Sequence, residues 1–271
     1  MRRPAAAFAV AACVALAWPL GAAAARTAAG ALADRGIDRA ARIGWIKAPD
    51  AQAYHADVYL AERAARFGPP LRRQALESQL AQVSTIWDSY IGPRALALFS
   101  QLRENVDYLT AHPIPADGTD VTGPDGVVYR WFSGKGFEFH PLANFSMLDN
   151  LAAAKNADGT RQLADALVAR AIPQPGGRWY WEYAFPYGMG RPPWASGLSQ
   201  SVAAQALARA SALLGDPALL DAARKAYATI PGLIQGTSAG PWIRLYGFNH
   251  ETVLNAQLQA VLSLREYAAT A

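Results

Sequence analysis

The sequence predicts a mainly α-helical protein made of helical hairpins that curve into an (α/α) toroid, with short β-hairpins at the mouth of its central cavity. Three observations predict it. From residue 51 onward the text is rich in Ala and Leu, and apolar residues recur three and four apart. An aromatic, strand-like lead-in followed by a helix occurs three times after Gly136. His140 and His250 stand 110 residues apart, two units of 55, which suits a repeat of two helices. An open solenoid of the same hairpins satisfies these observations too.

The elements follow in order. Arg2 and Arg3, an apolar run over 5–20 and the small residues Ala22, Ala23 and Ala24 predict a secretory signal peptide over 1–24. The run is too short for a membrane span, so we expect a secreted or periplasmic protein with no membrane span in its mature chain. Cys13, the sole cysteine, lies in mid-run, which excludes disulfides, thiolate nucleophiles and Cys-ligated zinc from residues 25–271. The net charge of +4 falls to about +2 without Arg2 and Arg3. That is no basic stripe for nucleic acid; an anionic ligand would be met by a few placed arginines.

Residues 25–135 read as an N-terminal helical portion: helices over 57–67, 71–90 and 93–110, the last with Pro93 in its first turn, then a β-hairpin over 117–132 around "GPDG". Trp45, Trp87 and Asp88 are candidates for the far side of the ring. Residues 136–271 carry the repeats. "GFEFHPLANFSMLDNLAAAKN" becomes helical near Leu142, "RWYWEYAFPYGMGRPPWASGLSQSVAAQALARASALLGD" near Trp194, and "GPWIRLYGFNHETVLNAQLQAVLSLREY" turns from strand to helix with Val253, Leu254, Leu258 and Val261 at helical spacing. The first two helices are followed by second ones over 159–171 and 217–230, with Asp158 and Asp216 as expected N-caps.

The candidate site gathers at the lead-ins. Trp179, Tyr180, Trp181, Tyr183, Phe185 and Tyr187 fall within nine residues, followed by Trp194, beside Arg178, Glu182 and Arg191. Such rings build cores, and they also stack on sugar C–H faces. Each lead-in carries polar groups in a repeated way: His140, Asn144 and Ser146; Ser196, Ser199 and Gln200; Asn249, His250 and Asn255. Capping explains any one of them; three in register point to a shared polar pocket. His250 is followed by Glu251 but position 254 is Leu, so the H-E-x-x-H zinc motif is absent and no metal is expected. The sequence has no G-x-S-x-G elbow, P-loop or dinucleotide fingerprint, and no cofactor is expected.

The ordered pair "PPWASGLSQSVAAQALARASALLGD" and "GPWIRLYGFNHETVLNAQLQAVLSLREY" resembles the C-terminal domain of the D-glucuronyl C5-epimerases, over roughly residues 140–267. The resemblance implies an α/α toroid, an anionic polysaccharide as partner, and inversion at C5 of a glucuronate by proton removal and return, with tyrosines handling the proton. By position, Tyr246 matches the family's tyrosine, Asn255 the asparagine of its V-L-N, and Trp194, Ser196 and Gln200 its earlier segment. Arg244 would lie near the uronate carboxylate, and a nearby cation would lower the tyrosine pKa. On the second proton group the resemblance is silent; Tyr183 or Tyr187 stands in for it. His140, Asn144, His250, Glu182 and Arg178 complete the expected substrate-binding set. Arg244 and Leu245 replace the family's two acidic residues, and Gly247 its proline. The family's further tyrosines lie downstream of the last helix, so the ring is expected to be incomplete at the C-terminus. Alternatives on the same scaffold are a polysaccharide lyase, a hydrolase using Glu182 and Glu251, and a non-catalytic polysaccharide-binding module. Self-association into a homo-oligomer is left open.

Overall fold

The computed structural model describes residues 26–271; the expected signal peptide lies outside them. Among the described residues there are nine α-helices and three small antiparallel sheets. Four helices come first: α1 (Ala28–Arg42), α2 (Ala48–Phe67), α3 (Pro70–Thr85) and α4 (Gly92–Ala111). Prolines stand in the first turns of α2, α3 and α4, where the missing N–H costs nothing. Helix α1 was not read from the sequence. Thr27 caps it by accepting the Gly30 N–H, while Glu62 on α2 accepts from the Thr27 N–H and hydroxyl at 2.7 Å each. Helix α3 ends at Thr85, short of the expected Tyr90. Ser84 and Thr85 both bond back to the Ala81 carbonyl, a competition that weakens a helix end. The chain then tightens into a 3₁₀ turn over Trp87–Ser89, and the buried Tyr90 hydroxyl donates to the Val83 carbonyl at 2.7 Å.

The expected hairpin forms from β1 (Asp120–Thr122) and β2 (Val128–Phe132), with Asp120 opposite Arg130. Gly126 takes φ +83° in the turn, which favours glycine. A third strand, β3 (Gly136–Phe139), pairs with β2 and is buried along its whole length. Its Glu138, fully buried, accepts hydrogen bonds from Gln79 (3.0 Å), Gln82 (2.6 Å) and Gln101 (2.8 Å), fastening the sheet to α3 and α4. Burial pushes this carboxyl up to about 8 against the opposing pull of those amides.

The repeats follow as α5 (Pro141–Ala153), α6 (Ala157–Ala169), the hairpin β4 (Ile172–Gln174)–β5 (Arg178–Tyr180), α7 (Gly197–Leu214), α8 (Pro217–Tyr227), the hairpin β6 (Ile234–Thr237)–β7 (Gly240–Ile243), and α9 (Leu254–Thr270). Asp216 caps α8 as expected, but Asn156 rather than Asp158 caps α6. Helix α7 is central. It packs against α5, α8 and α9 and is buried almost all round, which its small Ala and Ser side chains permit. Helix α9 does not bury its leucine stripe. It turns Ala256, Ala260, Ser263 and Tyr267 inward and leaves Leu254, Leu258, Val261 and Leu262 exposed. The small side chains let its backbone approach α7; leucines there would hold it off. The helices thus form a packed row, α5–α7–α9, and closure into a toroid is not seen among the described residues. No described helix is long and apolar enough to cross a membrane.

Candidate functional site

A cleft of about 290 Å³ opens where the lead-ins of α5, α7 and α9 meet, at the small end of ligand-binding pockets. Thirteen residues line it; among them are His140, Tyr183, Tyr187, Trp194, Ser196, Tyr246 and Asn255, all expected from the sequence. Phe132, Leu142, Phe185, Leu198 and Leu245 supply apolar wall. Phe132 was not anticipated. It reaches the site through the β2–β3 pairing, which no local pattern reveals.

The floor is a stack. The loop between β5 and α7 folds back so that Tyr183 pairs backbone-to-backbone with Trp194. Their rings lie parallel at 4.1 Å, and Phe185 meets both edge-on. The Trp194 indole N–H donates to the Phe185 carbonyl at 2.8 Å. The Tyr183 hydroxyl is bonded to the buried Ser199 hydroxyl at 2.7 Å, and burial pushes its pKa up to about 12. Ser196 caps α7 by accepting the Ser199 N–H.

The rim is looser. Tyr246 stacks on Phe248, meets Trp194 edge-on, and directs its hydroxyl at that of Tyr187, 3.5 Å away. Tyr187 is 43 % exposed. The Lys135 ammonium lies 5.9 Å from the Tyr187 ring centre, held by the Pro186 carbonyl at 2.9 Å; sequence reading missed it, since its turn looks like an ordinary loop. Two glycines let the segments close. A side chain at Gly197 would strike the Arg244 carbonyl at 2.5 Å, and one at Gly190 would strike the Phe248 ring at 2.2 Å.

The expected lowering of the Tyr246 pKa is not found. It is raised, by burial first and then by Tyr187, with Glu251 and Tyr183 adding to the effect. The cation expected beside it, Arg244, faces elsewhere and donates to the Gly247 (2.9 Å) and Gly232 (2.8 Å) carbonyls. Five other expected site residues lie outside the cleft. Asn144 is fully buried and pins α5 to β2 through both Val128 backbone groups at 2.7 Å. Gln200, also fully buried, accepts from Trp181 N–H and donates to the Trp179 carbonyl. Glu182 forms a two-pronged ion pair with Arg94 of α4 at 2.9 and 3.0 Å. Arg178 donates to the Pro175 carbonyl at the β4–β5 turn, and His250 bonds Gln235 at 2.8 Å. Asn249 does not cap α9, which begins at Leu254 with no side-chain cap. Trp45, Trp87 and Asp88 do not line the cleft either. No group of three or more His, Cys, Asp or Glu side chains that could hold a metal ion occurs among the described residues.

Residues 175–271, just over a third of the chain, match the D-glucuronyl C5-epimerase C-terminus family. The match starts later than the sequence resemblance, leaving His140 and the first repeat outside it, yet ten of the thirteen cleft-lining residues fall within it. No curated protein and no solved structure matches the chain.

Proposed function

We propose that the cleft binds a uronate unit of an acidic polysaccharide and that the chain acts as a C5-epimerase, inverting glucuronate to iduronate outside the cytoplasm. The observation that carries the reading is the coincidence of the family match with the cleft: Tyr187 and Trp194 from the loop before α7, and Tyr246 and Asn255 from the lead-in and first turn of α9, converge there within the matched region. The aromatic floor offers a surface for sugar C–H faces, and paired phenols at the rim offer groups that take and return a proton. In the reaction the C5–H bond breaks, the proton passes to a phenolate oxygen, and the electron pair spreads into the adjacent carboxylate. A proton then returns to C5 from the opposite face. Tyr246 is the principal proton-handling group and Tyr187, beside Lys135, its partner.

A second reading, a polysaccharide-binding cleft without turnover, is favoured by two observations. The Tyr183 hydroxyl is tied to Ser199, and Tyr246 is held protonated by its surroundings. One experiment separates the two. The chain is incubated with glucuronate-containing polymers in D₂O and followed by NMR. Deuterium at C5 with iduronate signals supports the epimerase; deuterium with unsaturated ends means a lyase; binding without deuterium leaves the second reading.

A further inference from the structure

His140 stands at the start of α5, where a helix leaves its first N–H groups without internal partners. Its Nδ1 accepts the Ala143 N–H at 3.1 Å. A ring nitrogen that accepts a hydrogen bond carries no proton, so the neutral ring must carry its proton on Nε2. The ring is neutral at ordinary pH: burial first, then Arg130, bring its pKa down to about 4, with Asp120 and the ring's approach to its own backbone opposing. Asp120 is itself ion-paired to Arg130 at 2.7 Å. The ring is wedged, stacked along Phe132 at 6.1 Å and edge-on to Tyr183 at 5.3 Å. Turning it over would break the Ala143 bond. Nε2, on the other edge of the ring, has no protein partner among the described residues, and His140 lines the cleft. Ring contacts run from His140 to Tyr183, from Tyr183 to Trp194 and from Trp194 to Tyr246, all of which line the same cleft.

We infer that His140 is a tautomer-locked hydrogen-bond donor, presenting Nε2–H to the carboxylate of the bound uronate. The assignment rests on the functional reading above for its ligand; its tautomer rests on the fold alone. A neutral donor of this kind binds the carboxylate and strengthens its bond as charge gathers on the carboxylate oxygens when the C5 proton leaves. It also excludes His140 as the base, because the nitrogen left without a protein partner already carries a proton.

The test is long-range ¹H–¹⁵N NMR on the ¹⁵N-labelled chain. Without ligand, His140 should show the Nε2–H tautomer from pH 5 to 8; a Nδ1–H tautomer, or protonation near the ordinary histidine value of about 6.5, overturns the assignment. A hexasaccharide of alternating glucuronate and N-acetylglucosamine should move the Nε2–H proton downfield, whereas a neutral N-acetylglucosamine hexasaccharide should not. His140→Asn, which keeps a capping side chain, should retain the fold and weaken binding of the acidic hexasaccharide about tenfold to a hundredfold, the scale of a hydrogen bond to a charged group. If the acidic hexasaccharide moves the His140 signal but no deuterium enters C5, the epimerase reading fails and this assignment stands. If Tyr187 and Tyr246 signals move and deuterium enters C5 while His140 stays, this assignment fails and the epimerase reading stands. A chain that does not bind the acidic hexasaccharide overturns both.

Discussion

The floor and the rim of the cleft are built from the same residue types and differ in what surrounds them. On the floor, Tyr183 and Trp194 are buried, stacked at 4.1 Å, and bonded through both polar atoms to Ser199 and Phe185. At the rim, Tyr187 and Tyr246 have one long hydrogen bond between them and no other side-chain partner for their hydroxyls among the described residues. A phenol that already holds a partner serves packing; a phenol left open to the cleft is available to a ligand. Aromatic density by itself therefore does not locate chemistry, and partner count does.

The comparison can be broken from either side. The largest stability effect is expected at the floor: Trp194→Ala should cost about 3–5 kcal/mol, the range for buried large-to-small aromatic changes, read by urea unfolding. A loss below about 1 kcal/mol would show that the floor does not hold the cleft together. At the rim, Tyr246→Phe should reduce C5 deuterium exchange by about 10²–10⁴-fold, the contribution of a positioned acid or base, while unfolding free energy moves by no more than about 0.5 kcal/mol. The reverse pattern, stability lost and exchange kept, would make Tyr246 a floor residue. Tyr183→Phe should be intermediate. It leaves the buried Ser199 hydroxyl without its partner and should cost about 1–3 kcal/mol, with exchange largely retained in the folded fraction.

Glu138 supplies a contrast remote from both, in the packing under β3. The unfolded chain loses this proton near 4.5 and the folded chain near 8, so between these values the folded state binds more protons. The stability from this group is full below pH 4.5 and declines as pH rises to 8. Glu138→Gln should flatten that part of the stability–pH curve in chemical unfolding at a series of pH values; an unchanged slope would mean that another group is responsible.

The helical hairpins, the β-hairpin around "GPDG", the Asp216 cap and the convergence of Tyr183, Tyr187, Trp194, Ser196, Tyr246 and Asn255 were legible in the residues, because spacing, turn chemistry and capping act over a few positions. The family resemblance placed Tyr246 and Asn255, and residues 175–271 match that family. What the sequence could not weigh was competition between partners. Asn144, Gln200, Glu182 and Arg244 have the right chemistry for a site, yet β2, β5, α4 and the Gly232 and Gly247 carbonyls claim them. Helix α9 shows the same limit. Its periodicity marks a helix with a leucine stripe but not which face packs; the alanine face does, because backbone approach to α7 depends on the size of both partners. Local pattern determined most of the elements and most of the residue types brought to the cleft; only the tertiary structure decided which polar groups remain free to act, since burial and hydrogen-bond satisfaction are properties of neighbours far apart in the chain.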